Sequence, residues 1–347
     1  MKGSFRKAKA ITAAMKKQNA RFQLCLGLLL LLLAAAVLAG CMFGNVHYSA
    51  EEAWQALFYA EGPAAKIVRP LRLPRVLGAL LVGGILPVCG CALQGLFRNP
   101  MADTGVLGVS GGAGLGATAA IVLGLGAGAL GSAAVTVCAF IGGILAAALV
   151  YSLALVKGRV STTALLLSGV CVSSLTSALQ SLLMLWDRTK LESVFGFLMG
   201  SFSSVSYKEL LWAAPIILFC FGALLLLAKP LDMLLLGSEH ARSLGVPVGA
   251  IRACVLLFCA LGCAAAVSFS GVIAFVGLMI PHLLRMFAGP SHRRLMLLSF
   301  PAGGIFLILT DLLCRTLISG YELPIGVFTS LVGAPFFLFL LKRKGVE

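Results

Sequence analysis

The chain has 347 residues, of which 60% are hydrophobic and 11% are charged, and its formal net charge is +15. Soluble domains contain about 25% charged residues, so this composition excludes a soluble globular protein. It indicates an all-α polytopic membrane protein, because a membrane helix needs about 20 mostly apolar residues and such runs fill most of the sequence. The positive charge does not indicate nucleic-acid binding, since much of it lies in the two tails.

The basic tails predict the orientation of the chain. Lys and Arg concentrate on the cytoplasmic side of membrane proteins, so residues 1–21 are expected to form a basic cytoplasmic arm that also contacts anionic lipid. Residues 22–347 then form one transmembrane domain in a bacterial cytoplasmic membrane, with both termini inside. The sequence LAGC ending at Cys41 resembles a lipoprotein cleavage site, but the apolar run continues past it and indicates a first membrane helix.

Apolar runs bounded by charged residues, proline or glycine predict ten membrane spans. In chain order they are 22–43, 75–97, 104–124, 132–156, 162–186, 209–228, 250–269, 272–287, 295–319 and 323–341. An even number of spans places both termini on one side, in agreement with the tails. A basic cluster at 66–75 falls on the outer side. The preference of Lys and Arg for the cytoplasmic side does not explain this cluster.

Two segments between the predicted spans lack an apolar run long enough to cross a membrane. Residues 44–70 are expected to form an outer loop with a short helix. Residues 187–208 are expected to form an amphipathic helix lying at the outer interface. Its predicted apolar face consists of Leu191, Phe195, Leu198 and Met199.

The glycine-rich stretch GVLGVSGGAGLGA, from Gly105 to Ala117, raises the possibility of a nucleotide site. A P-loop needs a lysine after its last glycine, and a dinucleotide fold needs an acidic residue about 20 positions further on. Neither is present, so the chain is not expected to bind ATP. The four-residue and seven-residue spacings predict close helix packing in lipid instead. The packing residues are Gly105, Gly108, Gly112 and Gly116.

The cysteines and histidines do not form a pattern that predicts a metal or a cofactor. The 11 cysteines lie inside predicted apolar runs, where a free cysteine behaves as a small hydrophobic residue. We therefore expect no cofactor, no metal site and no catalytic residue. An intramembrane enzyme would need a nucleophile with a base, or a metal cluster.

The longest break on the predicted inner side is LDMLLLGSEHARSLGVPVGAIRA, residues 231–253. A short helix is expected between Gly237 and Gly245, with Glu239 near its start and Arg242 further on, as the helix dipole favours. A solvated loop is the simple interpretation. The apolar residues of this segment exceed what a linker needs and favour docking against another protein. They are Leu234, Leu235, Leu236, Ala241 and Leu244.

Several segments resemble permease subunits of the iron-siderophore and cobalamin importer family, the FecCD type. GSEHARSLGV resembles the cytoplasmic coupling loop of that family. The other matching segments are RLPRVLGALLVGG at 72–84, LQGLFRNPMADTGVLGVSGGAG at 93–114, FVGLMIPHLLRM at 275–286, DLLCR at 311–315 and ELPIGVFTSLVGAPFF at 322–337. Together they cover nearly the whole chain after residue 70, in family order.

This resemblance implies a type II ABC importer, in which the permease itself is not an enzyme. The expected partners are a second copy of the chain, two subunits that bind and hydrolyse ATP, and an extracytoplasmic binding protein. The coupling loop would contact the ATP-binding subunit through Gly237, Glu239, Arg242, Leu244 and Gly245. The family often has two acidic residues where this chain has Ser238-Glu239-His240, which leaves the charge pattern of that contact open.

The resemblance also assigns two further sets of residues. Arg72, Arg75 and Arg315 match positions that pair with glutamates of the binding protein. Ser161, Thr162 and Thr163 match the cytoplasmic gate of the pathway.

Three alternatives stay open at this point. The outer arginines could simply anchor to lipid headgroups, and Asp311 could form a structural i, i+4 pair with Arg315. An ion-coupled secondary transporter would need an intramembrane acid such as Asp311. For an importer, a ferric siderophore is the favoured substrate, ahead of haem and cobalamin, and the permease sequence does not separate them.

Overall fold

A computed structural model describes residues 2–44, 46–59, 62–127, 131–156, 159–289, 291–318 and 320–344. Its α-helices are α1 (Lys2–Met42), α2 (Ala50–Phe58), α3 (Gly62–Ile67), α4 (Leu73–Phe97), α5 (Val109–Val122), α6 (Gly131–Ala154), α7 (Thr162–Trp186), α8 (Leu191–Met199), α9 (Tyr207–Leu226), α10 (Ala228–Leu235), α11 (Ser238–Ser243), α12 (Val248–Ser270), α13 (Val276–Ala288), α14 (His292–Thr316) and α15 (Ile325–Lys344). Two short strands, β1 (Leu155–Val156) and β2 (Arg159–Val160), pair antiparallel.

Long apolar helices make the chain a multi-pass membrane protein. Within the described ranges, seven helices have the length and composition to cross a membrane, in α1, α4, α6, α7, α9, α12 and α14. Three shorter apolar helices lie in α5, α13 and α15. The all-α membrane class is therefore confirmed. Each of these helices overlaps one predicted span, whereas the count of ten spans stays a prediction.

Helix α4 forms the centre of the bundle. It is apolar on all sides and most of its residues are buried, as expected for a helix surrounded by others. Helix α14 packs most extensively against it, and α12, α13 and α9 cover the rest. Gly83 of α4 and Gly303 of α14 lie so close together that a Cβ on either would overlap the backbone carbonyl of the other. Small residues allow this backbone contact, which stabilises helix pairs in lipid.

The glycine-rich stretch is partly a turn and partly a helix, so only some of its glycines pack against another helix. Residues Thr104–Leu107 form a 3₁₀ turn, Gly108 has a φ of +70°, and α5 begins only at Val109. Gly112 and Gly116 lie against the backbone of α6, where a Cβ would overlap a carbonyl oxygen. Gly105 belongs to the turn, and a Cβ there would meet nothing closer than a carboxylate oxygen at 4.0 Å. Its assignment to the packing face was wrong, because the helix starts after it.

Several predicted boundaries also change. Residues 2–21 of the predicted arm are continuous with the first membrane helix in α1, so they are not a separate segment in secondary structure. A π-helical turn at Val68–Arg72 leads into α4, and the outer segment 44–70 contains α2 and α3. The segment 187–208 contains a short 3₁₀ turn, α8 and, at its end, the first two residues of α9. Within α8, Val194 is buried against the protein while Phe195 and Met199 are exposed, so the interfacial position of the helix stays a prediction.

Candidate functional site

A network of charged side chains lies at the predicted outer ends of α4 and α14. The Arg75 guanidinium donates from Nε to both carboxylate oxygens of Asp311, at 2.9 and 3.0 Å, and its Nη2 lies 2.9 Å from Oδ1. Its Nη1 donates to Glu322 Oε1 at 3.0 Å. The side chains of Arg75 and Asp311 are 11% and 1% exposed, whereas that of Glu322 is 43% exposed. The predicted Asp311–Arg315 pair is present but longer, at 3.7 Å.

The two other arginines assigned to docking hold the end of α1. Arg72 donates from Nη1 to the carbonyls of Cys41 and Met42, both at 2.8 Å. Arg315 donates from Nη2 to Gly40 O at 2.6 Å. The last carbonyls of a helix have no partner within it, and a cation there also complements the helix dipole. The structure therefore gives Arg72 and Arg315 a buried structural role, which neither headgroup anchoring nor an exposed docking position describes.

The predicted coupling segment consists of two short helices with glycine at the bends. Gly237, between α10 and α11, has a φ of +113°, and Gly245 after α11 has a φ of +82°, conformations that favour glycine. Within α11, Glu239 and Arg242 form a 2.9 Å salt bridge at the surface. Such an exposed pair contributes little to stability, about 0.2–1 kcal/mol. Both side chains remain accessible to a partner.

The sequence predicted that the apolar residues of this segment form one docking face. In the structure they do not share a single exposed face. Leu234 and Ala241 are buried against the rest of the chain. Leu236 and Leu244, which flank α11 on either side, are 68% and 62% exposed. The uncovered apolar surface therefore lies mainly at the two ends of α11, with a smaller part at Met233 of α10.

The predicted gate residues lie at the start of α7. Ser161 is the N-cap of this helix, and its Oγ accepts from the Ala164 backbone N–H at 3.4 Å. Thr162 is half-buried and Thr163 is exposed. The β1–β2 hairpin immediately precedes them. Arg252 of α12 connects this hairpin to the coupling segment, because it donates to Val160 O at 3.4 Å and to Ser238 Oγ at 3.1 Å.

Sequence reasoning missed a pair of residues that joins the coupling segment to the start of α14. Asp232 of α10 accepts, at one carboxylate oxygen, from the backbone N–H of His292 at 2.9 Å and faces its Nδ1 at 2.5 Å. Partial burial works to raise the pKa of Asp232, but the hydrogen bonds from His292 outweigh it and hold the pKa below its usual value. An acidic residue inside the apolar sequence KPLDMLLLG was the signal that could have marked it.

Comparison with known proteins identifies the family to which this chain belongs. Residues 30–343 match the FecCD transport family. The chain belongs to that family. It is 40% identical over 284 residues to the cobalamin import system permease protein BtuC of Halobacterium salinarum, covering 82% of this chain and 75% of that one. It is 38% identical over 330 residues to the hemin transport system permease protein HmuU of Yersinia pestis, covering 94% and 98%.

A solved structure shares the fold. It is described as an inward-facing conformation of a metal-chelate type ABC transporter, and it matches with a TM-score of 0.81 and 33% identity over 92% of this chain and 98% of that one. The chain is thus an ABC transporter permease, a transport subunit in the cell membrane. The family membership expected from the coupling loop and the RLPR segment is confirmed.

Proposed function

We propose that this FecCD permease is the membrane-spanning subunit of an ATP-driven importer for a metal chelate. The observation that carries the proposal is the coupling segment. An accessible helix, α11, bracketed by two glycines and two exposed leucines, is joined through Arg252 to the hairpin that precedes the gate residues. An ATP-binding subunit that holds α11 would thereby act on the start of α7. This chain would bind no ATP and no cofactor of its own.

The pathway would lie between two copies of the chain, working by alternating access. Helix α7 supports this arrangement, because Ser174, Ser177 and Ser181 are exposed along one face of an otherwise apolar helix. Residues three or four apart share a helix face. Hydroxyl groups in that position suit a water-filled passage better than lipid. With the three shorter apolar helices counted as spans, the permease would have ten, and both termini would be cytoplasmic.

An extracytoplasmic binding protein would dock at the outer ends of α4 and α14. Of the three assigned arginines, Arg75 is the best candidate for direct contact, since Glu322 is its exposed and replaceable partner. Arg72 and Arg315 would act indirectly by fixing the end of α1. Charges at the rim of an interface mainly steer the partner's approach and orientation.

The substrate class is a bulky chelate: an iron-siderophore, haem or a cobalamin. The names of the relatives support haem and cobalamin, and the family resemblance supports iron-siderophores. A cavity of about 910 Å³ between the start of α6, α8, the end of α12 and residues 321–324 is consistent with a large cargo. Many of its lining residues are hydroxyl-bearing, which suits a substrate with many hydrogen-bonding groups. These are Ser132, Thr136, Ser193, Ser201, Ser203, Ser204, Ser268, Ser270 and Tyr321.

Co-purification tests the proposal first. The tagged chain, extracted gently from its host, should bring an ATP-binding subunit in equal amount. In the reconstituted complex Glu239→Arg should then reduce uptake strongly while membrane insertion stays normal. Glu51→Arg, an equal charge reversal on the exposed outer helix α2, is the matched control. Recovery of a pure oligomer without an ATPase, even after cross-linking, would contradict the proposal.

The ion-coupled alternative loses its main support in the structure. It would use Asp311 as an intramembrane acid, but Arg75 binds both oxygens of that carboxylate. A paired, buried carboxylate is poorly suited to exchange an ion. Uptake that survives ATP depletion and stops with an uncoupler would restore that alternative.

A further inference from the structure

The Asp232–His292 contact lies where the coupling segment meets the transmembrane bundle. His292 is the first residue of α14 and is fully buried. Its ring lies against Gly95 near the end of α4, where a Cβ would overlap the ring nitrogen Nε2. Within the described residues that nitrogen has no hydrogen-bond partner. Asp232 is therefore the polar partner of this ring and also the residue that caps the start of α14.

Helices α4 and α14 form a tightly packed antiparallel pair behind this contact. The mutual approach of Gly83 and Gly303 brings their backbones together midway, and Gly84 lies against the ring of Phe300. At the other end of the pair Arg75 holds Asp311. Asp311 lies 19 positions after His292 in α14, which corresponds to about 28 Å at 1.5 Å per residue. One continuous, closely packed helix pair therefore reaches from the coupling segment to the docking arginine.

We propose that Asp232 and His292 are positioning residues that join the coupling segment to the α4–α14 pair, so that the pair transmits the docking of the binding protein to the ATP-binding subunit. This inference rests on the proposed function. A densely packed pair of helices moves as a unit and does not deform gradually, so a displacement at one end reaches the other. Asp232 provides the connection because one oxygen holds both the ring and the backbone of His292.

The experiment uses the complete complex of permease, ATP-binding subunit and binding protein in liposomes. Two quantities are measured: the stimulation of ATP hydrolysis by the binding protein, and the uptake per ATP of a ferric siderophore, haem or cobalamin, whichever the wild-type complex transports. Asp232→Ala should lower both by about fivefold or more, the usual range of coupling between distant sites, while unstimulated hydrolysis continues. Asp232→Asn keeps an oxygen acceptor and should retain most of the coupling. Lys229→Gln, a single charge change on the exposed side of α10, is the control.

Gly95→Ala provides an independent test from the opposite side of the ring. The added methyl group must displace His292, so this variant should also reduce stimulation and uptake per ATP. Because both changes act on one contact, the double variant with Asp232→Ala should be little worse than either single variant. Should Asp232→Ala fail to assemble, the Gly95→Ala result decides the matter.

The outcomes separate the two proposals. If the wild-type complex shows no stimulation by a binding protein, the proposed function fails. If the wild type is stimulated but Asp232→Ala and Gly95→Ala are equally stimulated, the inference about the junction is wrong. A parallel loss of unstimulated hydrolysis, stimulation and uptake would also overturn it, because it would show a general structural defect.

Discussion

The buried carboxylate of Asp311 should be far more important for stability than its exposed neighbour Glu322, although both bind Arg75. Asp311→Ala removes three contacts of 2.9–3.0 Å and leaves an arginine that is 11% exposed without its main partner. Arg315, 3.7 Å away, loses a counter-charge as well. Removing one member of a buried pair costs about 3–5 kcal/mol.

Glu322→Gln is the matched control for this change. It removes one negative charge from the same arginine, but at a side chain that is 43% exposed, where an ion pair contributes about 0.2–1 kcal/mol. The free energy of unfolding would be measured by titrating the purified protein from mild detergent into dodecyl sulfate, with tryptophan fluorescence as the signal. Equal losses for the two variants would refute the argument, because they would show that burial does not decide the strength of these pairs.

Three further predictions follow from individual contacts. Gly112→Ala should destabilise the protein by about 1–3 kcal/mol, because the added methyl group overlaps the α6 backbone. Gly105→Ala has space for the methyl group and should change stability by less than about 0.5 kcal/mol. The same unfolding titration measures both variants. Glu322→Gln should raise the affinity of the extracytoplasmic binding protein for the permease in nanodiscs, because it frees Arg75 from a competing carboxylate. The increase should be no more than about fivefold, since an exposed ion pair is weak. A lower affinity would contradict this prediction. Leu244→Ala should reduce the affinity for the ATP-binding subunit about tenfold in a pull-down titration, while Leu71→Ala, equally exposed on the outer side, should have no effect.

The membrane class and the positions of the apolar helices could be predicted from composition, because lipid requires long apolar helices whatever they pack against. The short helix between Gly237 and Gly245 could also be predicted, since its signals are local. The sequence could not show which arginine binds Asp311. Local spacing favoured Arg315, one turn away, but Arg75 lies 236 positions away in the chain and has the shorter contact. Such partners depend on how helices pack.

The packing of α4 against α14 explains why contacts form at both ends of the helix pair, Arg75 with Asp311 at one end and Gly95 with His292 at the other. The close contact of Gly83 with Gly303 fixes the register of the antiparallel pair. Arg75 lies eight residues before Gly83, and its partner Asp311 lies eight residues after Gly303. Towards the other end, Gly95 and His292 lie at nearly equal distances from the same glycines.

A single backbone contact therefore aligns the docking arginine with its carboxylate and the histidine with its glycine. A bulky residue at position 303 should separate the two helices and disturb both ends together. Replacement of Asp232 should disturb the inner end alone and leave the outer ion pair intact. If the rigid pair connects the two ends, those two kinds of variant must lose coupling alike, although only the first also loses the Arg75–Asp311 contribution to stability.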